Sequence, residues 1–97
     1  MQVLVRFFTV LREIAGKKED PLEFPTDAQV TVKTVLQTLQ TRYGKPFSEY
    51  VFEAKTSEVK GFLQFFINGN SATAMKGLET ELHDGDVLAI VPPVGGG

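Results

Sequence analysis

The sequence predicts a single α+β domain in which one long helix packs on a mixed sheet of four to five strands. Three observations support this prediction. A length of 97 residues suits one domain with one hydrophobic core. One clear amphipathic helix, at about 31–44, is preceded and followed by segments with strand character. The first and last of these segments, 2–8 and 87–91, are both strongly apolar, which is typical of central strands.

Three short elements are predicted before the long helix. Residues 2–8 carry apolar side chains at both alternating positions, as in a strand buried on one face and partly apolar on the other. The segment TVLREIAGKK has apolar residues at helical spacing and predicts a short helical turn that ends at Gly16. PLEF, at 21–24, alternates apolar and polar residues and suits a strand antiparallel to the first.

The segment TDAQVTVKTVLQTLQTRYG predicts the long helix. Thr31 is the expected N-cap residue, Gly44 is expected just past the last turn, and Pro46 prevents continuation. The apolar stripe consists of Val32, Val35, Leu36, Leu39 and Tyr43. Residues 47–61 are harder to interpret, and we expect a helical turn followed by an exposed loop.

The second half of the chain predicts a hairpin and a final strand. FLQFFING, at 62–69, is a strand running into an Asn68-Gly69 turn, and its aromatic cluster Phe62, Phe65 and Phe66 is interpreted as core. DGD, at 84–86, is a reverse turn before the strand VLAIV. This order favours a β-grasp fold with its first and last strands side by side in the centre of the sheet. We therefore predict a domain at 1–91 and a flexible C-terminal tail at 92–97.

Composition excludes several classes of function. The net charge of −2, with dispersed lysines and arginines, argues against a nucleic-acid partner. The chain has no cysteine and one histidine, His83, and it lacks a phosphate-binding loop. We therefore expect no metal site, no cofactor bound by the chain, and no catalysis by the chain alone. No apolar run is long enough for a membrane span and no secretion signal is visible, so we expect a cytoplasmic protein without a membrane partner.

The ending PPVGGG is the strongest functional signal. Two prolines set an extended direction, and glycines permit close approach of the backbone to an enzyme. Six extended residues reach at most about 20 Å, which is enough to bring a terminal carboxylate into the pocket of a separate adenylating enzyme that uses ATP. The activated carboxyl group then accepts sulfur or a lysine amine. The alternative is an inert tail on an interaction module.

Two segments carry a family resemblance. FFTVLREIAG, at 7–16, and LHDGDVLAIVPPVGGG, at 82–97, resemble the small subunit of molybdopterin synthase, a ubiquitin-like sulfur carrier. The resemblance implies a β-grasp fold in which Gly97 is adenylated by a ubiquitin-activating-type enzyme and becomes a thiocarboxylate. Its sulfur then passes to a pterin precursor in the large subunit of the synthase. Gly96 matches the penultimate glycine of the family, and Gly95 occupies a spacer position.

Two features depart from the bacterial pattern of this family. The segment 44–61 is longer, and the chain ends in three glycines instead of two. Longer chains of this kind are similar to small archaeal ubiquitin-like modifiers, which serve both as sulfur carriers and as protein tags joined through the terminal glycine to lysines of target proteins. Protein modification through Gly97 is therefore an alternative function, as is sulfur delivery for thiamine or tRNA thiolation.

A docking surface is expected on the first and last strands. If the helix covers Val3 and its face of the first strand, Leu4 and Phe8 form an exposed apolar patch that Val91 joins. The alternative is that 47–61 folds over this face and extends the core. The resemblance adds Arg12, which would pair with acidic partner residues. The further predicted contacts lie in the tail, at Pro92, Pro93, Val94 and Gly95.

Overall fold

The computed structural model describes residues 1–93, and its elements follow the predicted order. The strands are β1 (Gln2–Phe7), β2 (Glu19–Glu23), β3 (Val30–Thr31), β4 (Gln64–Ile67), β5 (Asn70–Ser71), β6 (Glu81–Leu82) and β7 (Val87–Val91). The helices are α1 (Val10–Ala15), α2 (Val32–Tyr43) and α3 (Lys45–Val51), with 3₁₀ turns at Ala72–Ala74 and Gly77–Glu79.

The main sheet has the strand order β2-β1-β7-β4-β5. β1 and β7 are parallel, with Val5 opposite Leu88, and the other pairs in this sheet are antiparallel. A second, two-stranded sheet pairs β3 with β6. The first and last strands therefore lie side by side in the sheet, as the sequence predicted, and the predicted β-grasp fold is confirmed.

Both turns that the sequence predicted around the last strands are present. Asn68 and Gly69 have φ values of 51° and 86°, so both central residues of this hairpin adopt the left-handed conformation that an Asn-Gly pair favours. Asn68 also joins the two turns: its Nδ2 donates to Asp86 Oδ1 at 2.9 Å, and its Oδ1 accepts from the Val87 N–H at 2.9 Å.

The long helix begins and ends where capping chemistry places it. The Thr31 hydroxyl accepts from the Thr34 N–H at 3.2 Å, while the Thr34 hydroxyl accepts from the Thr31 N–H at 3.1 Å, so each residue satisfies the other's free donor. Gly44, at φ 72°, ends the helix. α3 then begins at once, with Pro46 in its first turn, where the missing N–H of proline is not needed.

The hydrophobic core lies between the sheet and the three helices. β1 buries Val3, Val5 and Phe7, and β7 buries Leu88 and Ile90 on the same face. The stripe predicted for α2 faces this layer, with Val32, Val35, Leu36 and Leu39 buried and Tyr43 partly buried. Burial of each such side chain contributes about 1.5–3 kcal/mol, so docking on the sheet stabilises a helix that is rich in β-branched residues.

The segment after Gly44 packs on the helical side of the sheet. Phe47 and Val51 of α3 are fully buried in the core. The Phe7 ring meets Tyr43 edge to face at 5.8 Å, and the Tyr43 ring lies 6.3 Å from that of Phe47. The alternative in which 47–61 covers the opposite face of the sheet is therefore wrong, because the apolar side chains of α3 complete the core beside α2.

A buried carboxylate joins β2 to the end of α2. Asp20 is 2% exposed, and both of its oxygens accept from Arg42 Nη1 at 2.9 Å. The Tyr43 hydroxyl donates to the same carboxylate at 2.5 Å, and Lys17 Nζ lies 3.7 Å away. Burial of the phenol, followed by its hydrogen bond to Asp20 and the charge of that carboxylate, raises the pKa of Tyr43 to about 12.

Within residues 1–93, no helix combines the length and apolar character that crossing a membrane requires.

Candidate functional site: the outer sheet face and the tail

The last strand leads into the tail from the middle of the sheet. Val91, at the end of β7, is half-buried, Pro92 is buried and Pro93 is exposed. Pro92, which was predicted as the first residue of an extended tail, thus packs with the domain, and Pro93 is the first exposed residue after β7. The predicted site residues Val94, Gly95, Gly96 and Gly97 lie outside the described residues.

The face of the sheet that is turned away from the helices carries an apolar patch. Side chains alternate along a strand, so the burial of Val5 and Leu88 turns their neighbours Leu4 and Ala89 outward. The half-buried apolar residues on this face, called the outer patch below, are Leu4, Phe8, Phe66, Val87, Ala89 and Val91. The structure therefore brings together three residues that the sequence predicted for docking: Leu4, Phe8 and Val91.

The aromatic residues Phe62, Phe65 and Phe66 lie in different environments. Phe65 packs partly against the core, as predicted. Phe66 lies on the outer face opposite Ala89, and Phe62 is 43% exposed. The prediction that all three form core was wrong, because Phe65 and Phe66 are neighbours in β4 and so point to opposite faces, and Phe62 lies before the strand begins. Phe66 is thus a docking candidate that sequence reasoning missed.

Arg12 lies beside the outer patch and is held in place. Its Nε donates to the Phe7 carbonyl oxygen at 2.9 Å, and its guanidinium lies 5.4 Å from the centre of the Phe8 ring. Such a cation–aromatic contact orients both side chains. Thr9, between them in sequence, has a φ of 51°, which is strained for a β-branched residue. Arg12 therefore presents its charge next to Phe8 at the end of the sheet from which the tail leaves.

The acidic residues of the D-G-D turn serve the turn. Asp84 Oδ1 accepts from the Gln2 N–H at 2.7 Å, and Asp86 Oδ2 accepts from the His83 N–H at 2.8 Å. The His83 side chain is exposed and lies 3.8–3.9 Å from Glu81 and Asp86. No group of three potential ligands in residues 1–93 could hold a metal ion. The turn therefore supplies backbone support.

A model described as the ThiS family matches residues 5–97. The chain belongs to the ThiS family. It is 32% identical over 97 residues to small archaeal modifier protein 3 of Haloferax volcanii, covering 100% of both chains. It is also 33% identical over 69 residues to the "Putative sulfur carrier protein" of Archaeoglobus fulgidus, covering 71% of this chain and 76% of that protein.

Solved structures agree with this assignment of the chain to the ThiS family. Small archaeal modifier protein 1 of Methanosarcina acetivorans is 37% identical and superposes with a TM-score of 0.81, covering 99% of this chain and 96% of that one. The "Putative molybdopterin converting factor, subunit 1" of Pyrococcus furiosus is 29% identical and superposes with a TM-score of 0.72, covering 97% of this chain and 99% of that one. The predicted resemblance to ubiquitin-like sulfur carriers and small archaeal modifiers is confirmed at the level of the family.

Proposed function

We propose that this ThiS-family chain is a sulfur carrier that acts as the small subunit of molybdopterin synthase. A separate adenylating enzyme of the ubiquitin-activating type joins the Gly97 carboxylate to the AMP part of ATP and releases pyrophosphate. Hydrosulfide then attacks the Gly97 carbonyl carbon, the bond to AMP breaks, and a thiocarboxylate remains on Gly97. The tail that carries the thiocarboxylate enters the large subunit, where the sulfur passes to a pterin precursor. The chain itself supplies the acyl group and the docking surface, and catalysis belongs to its partners.

The position of the end of β7 is the observation that carries this proposal. β7 is a central strand, so its carboxyl end emerges next to the outer patch and not at a distant edge of the sheet. Because Pro92 is buried, the free reach starts at Pro93, and five extended residues span at most about 17 Å. A partner that binds the outer patch can therefore receive Gly97 in a pocket close to its own surface.

Conjugation to proteins is the second candidate function. The full-length match to small archaeal modifier protein 3 favours it. The same acyl-adenylate serves this chemistry, because a lysine Nζ can attack the Gly97 carbonyl carbon in place of sulfur. AMP leaves, the amine loses a proton, and an isopeptide bond forms. The two candidates thus share activation and differ in the final acceptor.

Intact mass spectrometry tests the shared activation step. The purified chain is first weighed to establish that Gly97 is its last residue, and is then incubated with the adenylating enzyme of its source organism, ATP and a sulfide donor. We expect one terminal oxygen to be replaced by sulfur. Deletion of Gly97 is expected to abolish this change while the circular dichroism spectrum stays that of the wild type. An unchanged mass of the wild-type chain in the complete reaction would refute the proposal.

The cellular consequence of the Gly97 deletion separates the two acceptors. Loss of molybdenum cofactor, with lysine-linked adducts unchanged, supports sulfur transfer. Loss of the adducts, with the cofactor unchanged, favours protein modification and overturns the synthase assignment. A Gln2→Glu variant provides the control, because it alters an exposed side chain at the end of β1 far from the tail.

A further inference from the structure

The two ends of the main sheet differ in charge. The tail end is the end of the main sheet at which Phe7, Glu19, Gln64 and Val91 lie. Four basic residues lie in the segments that connect to the strands at this end: Arg12, Lys17, Lys18 and Lys60. At this end Glu19 is engaged by Arg6 at 3.5 Å. The opposite end carries Glu23, Asp84 and Asp86. Lys17 is paired with the buried Asp20 at 3.7 Å, and Glu13 and Glu58 lie near Arg12 and Lys60 in the chain. The cations at the tail end without a carboxylate within 4 Å in residues 1–93 therefore include Arg12 and Lys60.

Phe62 and Lys60 occupy the tail end on the β4 side. β4 is antiparallel to β7 and pairs Gln64 with Val91, so the residues just before Gln64 lie at the end of the sheet where the chain passes beyond Val91. Phe62 is one of the few large apolar side chains that are well exposed, at 43%. The centre of its ring lies 5.7 Å from that of Tyr50 in α3, with the two ring planes tilted by 52°, and this contact orients it.

Lys60 is held over this ring. Its Nζ lies 5.9 Å from the centre of the Phe62 ring and donates to the Glu49 carbonyl oxygen at 2.8 Å. An ammonium that already makes these two contacts loses little further freedom when a partner binds it. Within residues 1–93, no carboxylate lies within 4 Å of the Lys60 amine. Its charge is therefore available to a carboxylate of another molecule.

The arrangement on the β4 side repeats the one on the β1 side. Arg12 lies over Phe8 at 5.4 Å and is fixed by a backbone carbonyl, as Lys60 lies over Phe62. Arg12 likewise has no carboxylate within 4 Å among the described residues. Two oriented cation–aromatic pairs thus stand at the end of the sheet where β7 passes into the tail.

We propose that Lys60 and Phe62 form a second docking contact for the adenylating enzyme that activates Gly97. The partner chemistry that fits is a protein surface with carboxylates around an apolar spot, beside the entrance of its tail pocket. The aromatic ring would contact the apolar spot, and the ammonium would pair with a carboxylate. This inference rests on the proposed function, because it concerns the enzyme that activates Gly97. It assigns a contact to the connection between α3 and β4, which the outer patch does not include.

The charge of the partner surface distinguishes the adenylating enzyme from other molecules that could bind at Lys60 and Phe62. An acidic partner surface would be attracted by the Arg12 and Lys60 charges at the tail end, which favours approach of that end of the carrier. A second copy of this chain is a different occupant, since its acidic end could meet the basic tail end. Sedimentation of the free chain at assay concentration tests this occupant directly. A dimer that Lys60→Glu dissociates would overturn the proposal in favour of self-association.

Steady-state kinetics of adenylation provide the main test. The rate of ATP–pyrophosphate exchange by the adenylating enzyme is measured against carrier concentration for the wild type, Lys60→Glu and Phe62→Ala. Two variants serve as matched controls. Lys55→Glu makes the same charge reversal at an exposed lysine of the 53–58 loop. Met75→Ala removes another apolar side chain that is 43% exposed, outside the tail end.

We expect Lys60→Glu and Phe62→Ala each to raise the KM for the carrier about tenfold, as loss of an interface anchor does, with kcat unchanged. The controls are expected to change KM less than about twofold. High salt is expected to raise the KM of the wild type, and to raise that of Lys60→Glu by a smaller factor, because the other cations at the tail end remain. Melting temperatures check that Phe62→Ala folds, and Lys60→Glu keeps the test valid if it does not.

The outcomes distinguish failure of the second docking contact from failure of the proposed function. If the wild type supports exchange and the two test variants match the controls, the second contact is refuted and the proposed function stands. If the wild type supports no exchange, the proposed function itself fails. A fall in kcat without a change in KM would also refute the contact, because it would place Lys60 and Phe62 in the activation step instead of in binding.

Discussion

Replacing Asp20 with alanine tests whether one buried carboxylate fastens the edge strand β2 to the end of α2. The substitution removes an acceptor that is 2% exposed and takes hydrogen bonds from Arg42 and Tyr43. Removing one partner of a fully buried ion pair costs about 3–5 kcal/mol, because the other charge is left unpaired. The Arg42 side chain is 46% exposed and can return to water, so we expect a smaller loss of about 2–3 kcal/mol.

Urea unfolding followed by circular dichroism measures this loss through the midpoint and the slope of the transition. Asp20→Asn keeps the shape and removes the charge, and it is expected to lose about 1–2 kcal/mol, because hydrogen bonds to neutral acceptors are weaker. Glu23→Gln neutralises an exposed acid on the same strand and is expected to stay within about 0.5 kcal/mol of the wild type. If Asp20→Ala is no less stable than Glu23→Gln, the argument that the buried carboxylate holds β2 to α2 is wrong.

Three further predictions concern titration, backbone strain and docking. In a Tyr50→Phe background, ultraviolet titration follows Tyr43 alone, since the chain has two tyrosines, and we expect its pKa at about 12; a midpoint near that of a free phenol contradicts this. This pKa lies above the value of about 10 in an unfolded chain. The contribution of the neutral Tyr43 phenol to the free energy of unfolding is therefore complete below about pH 10. The difference in Tm between the wild type and Tyr43→Phe should then shrink as the pH rises toward the folded pKa. Thr9→Gly removes a strained positive φ and is expected to stabilise the fold by about 1 kcal/mol in urea unfolding, whereas Thr26→Gly in an ordinary turn is expected to destabilise it. Leu4→Asp places a charge in the outer patch and is expected to raise the KM for the carrier in adenylation about tenfold without lowering Tm; an unchanged KM would remove the patch from the interface.

Much of the fold was predictable because its signals are local. The stripe of α2, its Thr31 cap and the Gly44 stop depend on side chains within a few residues of one another, and so does the Asn68-Gly69 turn. The family resemblance was also readable, since it rests on two contiguous segments at the ends of the chain. The segment after Gly44 was less certain because α3 has seven residues, and so short a helix forms only when its apolar side chains find a core to join.

The candidate site likewise has features that the sequence predicts and features that it does not. By itself the sequence determined the β-grasp order, the identity of the strands that meet in the centre, and the glycine-rich ending on which the proposed chemistry depends. Only the tertiary structure decided that Phe66 turns outward, that Phe62 and Lys60 stand at the tail end, and that Asp20 finds Arg42 across 22 positions of the chain. The physical reason is that strand register and helix docking bring together residues that are distant in sequence. No periodicity within a segment records which of those distant residues will meet.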